Sequence, residues 1–332
     1  MTPEETPFVS ILVAARNEQE NIGVCLQALD QINYPNDCYE VWIGNDDSED
    51  KTEEIVQKFI TDKPNFHLLN ITSTIGNAKG KANVLAQLAP NAKGAFLLMT
   101  DADVAVPKSW IAGMIENYEE GIGIMTGCTL AQPSSFFARL EAIDWVYALS
   151  LIKGASRVGV ALTAMGNNML VKKEAYEQVG GYETIPFSLT EDHEIFKAIT
   201  QKGWKFKQVM QPEITAETVA SQSISHLLHQ RKRWVYGAIQ APWYILIVLT
   251  LQALFLPILV GLYVFSPLLA YGVWWLKFAL QSIIAGNGLF QIRRTNLLIY
   301  LIPYEFYSLL VTFLTAVFYL LPIKVRWKGR IY

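Results

Sequence analysis

The sequence sets carboxylates directly after apolar runs, where a side chain can reach a bound phosphate or sugar. "GAFLLMT" (94–100) leads into Asp101 and Asp103 of "TDADV". In an extended stretch alternate residues point the same way, so this pair makes a hard-oxygen site suited to Mg2+ or Mn2+ on a diphosphate. The same spacing also occurs in solvated turns. "NDDSEDKT" (45–52) sets Asp46 where it can reach a nucleoside base, while Ser48 or Asp50 suits a helix cap. "NAKGKAN" (77–83) puts Lys79 and Lys81 around a glycine at a helix entry, a setting for phosphate or for an ordinary loop. "LTEDHEIF" (189–196) places Glu191 and Asp192 in a first helical turn capped by Thr190, where acids also suit the helix dipole. His193 reads as a surface residue, and His67, His226 and His229 have no partners at metal-ligand spacing.

Elements must hold these groups. "FVSILVA" (8–14), "EVWIG" (40–44), "FHLLNI" (66–71) and "GAFLLMT" (94–100) read as strands buried on both faces. Helical patterns at 18–31, 51–62 and 80–88 lie between them. That alternation predicts an α/β sheet, largely parallel and covered on both sides. Ligands in such a sheet bind beyond the carboxyl ends of the strands, where "AARNE", "NDDSED" and "TDADV" stand.

The rest of the chain has a different solvent. Only Lys277 is charged from 243 to 286, and only Glu305 from 297 to 323. About 20 apolar residues suffice for a membrane-spanning helix, so two or three spans are expected. Basic clusters at 231–233, at Arg293 and Arg294, and in "KVRWKGR" (324–330) should all prefer the cytosolic side. Two spans satisfy this for the first two clusters. A third simple span sends the tail across, unless 297–323 dips in and returns around Pro303. The expected organisation is a cytosolic domain at 1–220, an amphipathic interfacial helix at 221–242, spans within 243–323 and a basic tail at 324–332. The N-terminus lacks the basic start and apolar core of a signal peptide, and the three cysteines fit cytosolic thiols. A net charge of −3 from 27 cations and 30 acids gives no field for a nucleic-acid partner.

Taken in order, "VAARNE", "NDDSED", "KGKAN", "TDADV", "GNNMLVKKEAYEQVGGY" (166–182), "TEDHE" and "QRKRW" resemble the family 2 glycosyltransferases over about 8–235. The opening motif has Ala14 where the family often has proline, and Asn45 stands where it commonly has aspartate. The resemblance implies a GT-A fold, a Rossmann-like nucleotide-diphospho-sugar transferase domain, followed here by C-terminal transmembrane helices. It implies nucleoside contacts from Glu18 and Asp46, and a nucleotide pocket that includes Lys81 and Asp101. Asp103 would ligate Mg2+ or Mn2+, and Gly166, Asn167 and Asn168 would line the donor-sugar pocket. Asp192 would be the catalytic base. Gln230, Arg233 and Trp234 would close the site around the diphosphate and acceptor. On a helix these three share one face, leaving Arg231 and Lys232 to face anionic head groups.

The implied function is an inverting, metal-dependent transfer of a single sugar from a nucleotide sugar, with UDP the family's usual carrier. The expected acceptor is a lipid hydroxyl or phosphate, reached by a multi-pass plasma-membrane protein whose catalytic domain is cytosolic. A processive polysaccharide synthase subunit shares the Gln-x-x-Arg-Trp motif, but two or three spans leave little wall for a polymer channel. A catalytically inactive membrane scaffold would have no need of Asp103 and Asp192 together.

Overall fold

A computed structural model describes residues 6–327 and 330–331. Residues 328, 329 and 332 of the basic tail lie outside the described residues. The chain divides into two compact units, residues 1–129 with 152–219, and residues 130–151 with 220–332.

The first unit begins with β1 (Val9–Ala15), α1 (Ile22–Asp30), β2 (Tyr39–Asn45), α2 (Thr52–Ile60), β3 (Phe66–Asn70), α3 (Lys81–Leu88) and β4 (Phe96–Asp101). The chain then turns back through β5 (Val104–Ala105) and continues as α4 (Trp110–Glu116), β6 (Ile122–Thr126) and β7 (Thr129–Ala131). Helix α5 (Phe136–Arg157) starts in the second unit and ends in the first. The first unit then completes with β8 (Asn168–Lys172), α6 (Lys173–Gln178), α7 (Gly181–Thr184), α8 (Glu191–Gln201), β9 (Lys205–Gln208) and β10 (Ala216–Thr218).

Seven strands form one mixed sheet in the order β3-β2-β1-β4-β8-β6-β9. β3, β2, β1 and β4 run parallel, whereas β8 is antiparallel to both of its neighbours. Apolar side chains alternate between two cores. Ile11 and Val13 join Leu26 and Trp110 on one face, and Leu12 joins Leu85 and Phe196 on the other. Both faces are covered, which explains why the strands read as unbroken apolar runs. The register sets Ala15 beside Asn45 and Ala14 beside Asp101. The carboxyl ends of β1, β2 and β4 are therefore level, and the acids that follow them leave the sheet at one edge.

In the second unit, α9 (Ile224–Ala238) is capped by Ser223, whose hydroxyl accepts the His226 N–H at 3.1 Å. α10 (Trp243–Ala253) and α11 (Phe255–Phe265) form a pair bent by 58°. α12 (Pro267–Gln291) starts on a proline, whose missing N–H costs nothing at a helix start. A 3-10 turn over Thr295–Tyr300 leads into α13 (Leu301–Leu320). By length and composition Pro267–Gln291 and Thr295–Leu320 can each cross a membrane, and the bent pair could form a third passage.

Candidate active site

The site is built from the strand ends upward. After β1, the Glu18 N–H donates to the Thr52 hydroxyl at 2.7 Å, and the Glu18 carboxylate accepts from the Asn21 amide at 3.0 Å. After β2, Asp46 is buried and its N–H donates to the Ala15 carbonyl at 2.8 Å. The Arg16 guanidinium donates to the carbonyls of Asp46 and Asp47. Asp50 accepts from the backbone N–H groups of Gln19 and Thr52 and from the Thr52 hydroxyl. Burial pushes its carboxyl up, and these donors outweigh that, holding it below the usual range. The two loops are thus laced together, with Glu18 and Asp46 on a common frame. Asn45 is absorbed into that frame through Asn70 and Ser48.

Lys81 is the centre of the second half. Gly80 (φ 57°) takes the left-handed turn that starts α3, so Lys81 is its first residue. The ammonium pairs with Asp101, lies 3.5 Å from Glu191 and 3.4 Å from the Gly166 carbonyl. Burial would lower its pKa, but the carboxylates of Asp101, Glu191 and Asp192 more than reverse this and raise it above the ordinary lysine value. Lys81 is therefore a fixed cation among three acids. The Asp192 carboxylate accepts the Gly166 N–H at 2.8 Å and the His193 N–H at 2.9 Å. A side chain on Gly166 would come within 2.9 Å of the Asp192 Cβ, so glycine permits this approach.

Several expectations change. Asp101 and Asp103 do not share an extended strand, because β4 ends at Asp101 and residues 102–103 form a turn. They still share surroundings: burial, then Asp103, Asp101 and Glu18, push the Cys25 thiol up. Asn168 does not line a pocket. It is 0% exposed, and its amide bonds the carbonyls of Cys128 and Ile214 and the Trp110 indole. It is a structural node, and the preceding Asn167 is held by the hydroxyls of Thr129 and Thr100. His193 is buried, not at the surface, and its ring contacts the Thr163 hydroxyl at 3.2 Å. Glu191, read from sequence as a dipole acid, is drawn to Lys81, and nothing in the linear sequence signals that contact.

The donor set fits a divalent cation of limited protein ligation. No group of three candidate ligands is present among the described residues. Asp101 and Asp103 offer hard oxygens in an acid-rich surrounding, and Mg2+ in phosphate sites takes one or two carboxylates, with water and phosphate supplying the rest.

Gln230, Arg233 and Trp234 belong to the second unit, on α9. There Arg231 and Lys232 are 9% and 2% exposed, so they form no head-group collar. Arg231 pairs with Asp144 of α5 at 2.7 Å and lies 4.2 Å over the Trp234 ring. Trp145 meets the same ring edge-on at 5.0 Å. Lys232 donates to the carbonyls of Phe318 and Leu321 at the end of α13. The helical wheel does not separate Arg231 from Trp234: the two stack on each other and both meet α5, at Asp144 and Trp145, while Lys232 is covered by the end of α13.

The family model for glycosyl transferase family 21 matches residues 1–332. The β-monoglucosyldiacylglycerol synthase of Trichormus variabilis is 28% identical over 239 residues, 70% of this chain and 49% of that protein. The poly-β-1,6-N-acetyl-D-glucosamine synthase of Staphylococcus epidermidis is 28% identical over 238 residues, 70% of this chain and 55% of that protein. The chain spans about half the length of these curated relatives. Among solved structures, a mannosyltransferase from Pyrobaculum calidifontis in complex with GDP-Man and Mn2+ is similar with a TM-score of 0.60 at 19% identity. That similarity covers 92% of this chain and 89% of the other, and it shows the GT-A fold. The motif set by itself resembles family 2, whereas the matching family model carries the number 21. With the level strand ends and the Lys81 cluster, these findings identify the chain as a GT-A glycosyltransferase that belongs to glycosyltransferase family 21.

Proposed function

We propose that this glycosyltransferase moves one sugar, with inversion, from a nucleotide sugar to a lipid at the cytosolic face of the plasma membrane. The observation that carries the reading is the Asp192 carboxylate, fixed by the Gly166 N–H and set in the field of Lys81. Glu18 and Asp46 would hold the nucleoside of a UDP-linked donor, and Gly166 with Asn167 would bound its sugar. Asp192 takes the proton from the acceptor hydroxyl as that oxygen bonds the anomeric carbon. The bond from that carbon to the diphosphate breaks on the opposite face, and the diphosphate leaves with the electron pair. Lys81 offsets the charge growing there. Asp103 would hold Mg2+ or Mn2+, which when bound supplies Lewis-acid stabilisation of the leaving diphosphate.

The lipid acceptor is supported by the apolar helices and by the Trichormus relative, a β-monoglucosyldiacylglycerol synthase. The Staphylococcus relative supports a second reading, a polysaccharide synthase subunit. Mass spectrometry of lipid extracts from cells with and without the protein separates the two. One added sugar mass on a lipid is the expected result, and a ladder of polymer masses overturns it. Asp192→Asn is expected to lower transfer by about 10²–10⁴-fold with nucleotide binding retained. Near wild-type turnover in that variant removes Asp192 as the base.

A further inference from the structure

We infer that α13 does not cross the bilayer but lies along one membrane surface as a lipid-facing platform. This rests on the membrane reading above, and the contacts that carry it all fall within the second unit. At the start of α13, the Arg139 guanidinium donates to the Tyr300 hydroxyl at 2.7 Å and sits over its ring. One turn on, the Tyr304 hydroxyl donates to Asp144 at 3.0 Å. At the far end, the Lys232 ammonium donates to the Leu321 carbonyl at 2.8 Å, and His229 and Tyr236 meet Phe318 and Tyr319 edge-on. Among the described residues, no helix between Arg139 and Lys232 is long and apolar enough to cross a membrane. Connectivity therefore puts Arg139 and Lys232 on one side.

Both ends of α13 are tied to that side. The stretch from Tyr300 to Leu321 measures about 31 Å as a helix, the full thickness of a hydrocarbon core of about 30 Å. If α13 stood upright, α5 or α9 would have to follow it across. That would carry Arg139 and Asp144, or Lys232 and its neighbours, through hydrocarbon at roughly 2.5–3.5 kcal/mol per charged residue. Laid flat, α13 needs no such passage. Ile302, Phe306, Leu310, Val317 and Leu320 form an exposed apolar stripe along its length, while Tyr304 and Ser308 face inward. That stripe is the face α13 presents to lipid. All three basic clusters then share one side, which removes the conflict a third span creates.

The test uses the full chain in sealed membrane vesicles of known orientation, with Cys38→Ser to clear the half-exposed thiol. Single cysteines are placed by Asn296→Cys before α13, Lys324→Cys after it and Lys58→Cys as a reference on α2. Each variant is first matched to the parent by thermal melting, with Thr295→Cys and Ile323→Cys as replacements for any that fails. A membrane-impermeant maleimide is expected to label all three from the same face, at least tenfold over the other. Labelling of 296 and 324 from opposite faces, or of either from the face opposite residue 58, overturns the inference alone. Failure of the parent chain to float with phospholipid vesicles overturns the membrane reading and this inference together.

Discussion

At Gly166 the Asp192 carboxylate, our proposed base, and the backbone that holds it are so close that one methyl group would separate them. Gly166→Ala is expected to displace Asp192 and lower kcat by roughly tenfold to a hundredfold, with nucleotide affinity retained by titration. Arg231 makes a different kind of demand. Arg231→Met strands Asp144 partly buried beside Tyr304, at a cost of roughly 1–3 kcal/mol. That is below the 3–5 typical of a fully buried pair, because Asp144 keeps some solvent contact. The measurement is the melting temperature in detergent. A matching loss in Asp144→Asn and near-recovery in the double variant would confirm the pair. The positions of Asp46, Lys81, Asp101 and Asp192 at strand ends and helix starts were legible in the sequence because each follows an apolar run or opens a helix. Asn168 was not: whether an amide faces a ligand or the core depends on Trp110, Cys128 and Ile214, all distant in sequence.

Helix α8 carries the proposed base, Asp192, on a first turn that also contains His193. Burial lowers the pKa of that imidazole, against the opposing pull of Asp192 and Glu194. A histidine whose folded value lies below its ordinary 6.5 favours the fold when neutral. Its contribution is complete above pH 6.5, shrinks as pH falls from there to the folded value, and is lost below it. The melting temperature is therefore expected to fall between pH 7.5 and 5.5, and to fall less in His193→Gln. An equal fall in both proteins would place the sensitive group elsewhere. The strands of this unit were readable because both faces are apolar, so burial is written into consecutive residues. Helix α5 was not singled out, because its packing partners, Trp234, Tyr300 and Tyr304, lie more than eighty residues further on.

For the whole molecule, the acid-rich strand ends lead us to expect that activity depends on a divalent ion. Chelation by EDTA is expected to abolish transfer, and Mg2+ or Mn2+ to restore it. Full activity in chelator would remove Asp103 from that role. Apolar length alone suggested two or three crossings, but hydropathy counts residues and says nothing of what binds the two ends of a helix. The tie of α13 to Arg139 and Lys232 is a tertiary fact. The level ends of β1, β2 and β4 bear on how such an enzyme changes its substrate. The register that aligns Ala14, Ala15, Asn45 and Asp101 cannot slip by one residue without turning every strand side chain to the wrong core. Residues 158–165 and 185–190, by contrast, carry no helix or strand. Selection for a new sugar has a rigid chassis to inherit and two segments to rewrite, so libraries aimed at donor exchange belong in those loops and not at the strand-end acids.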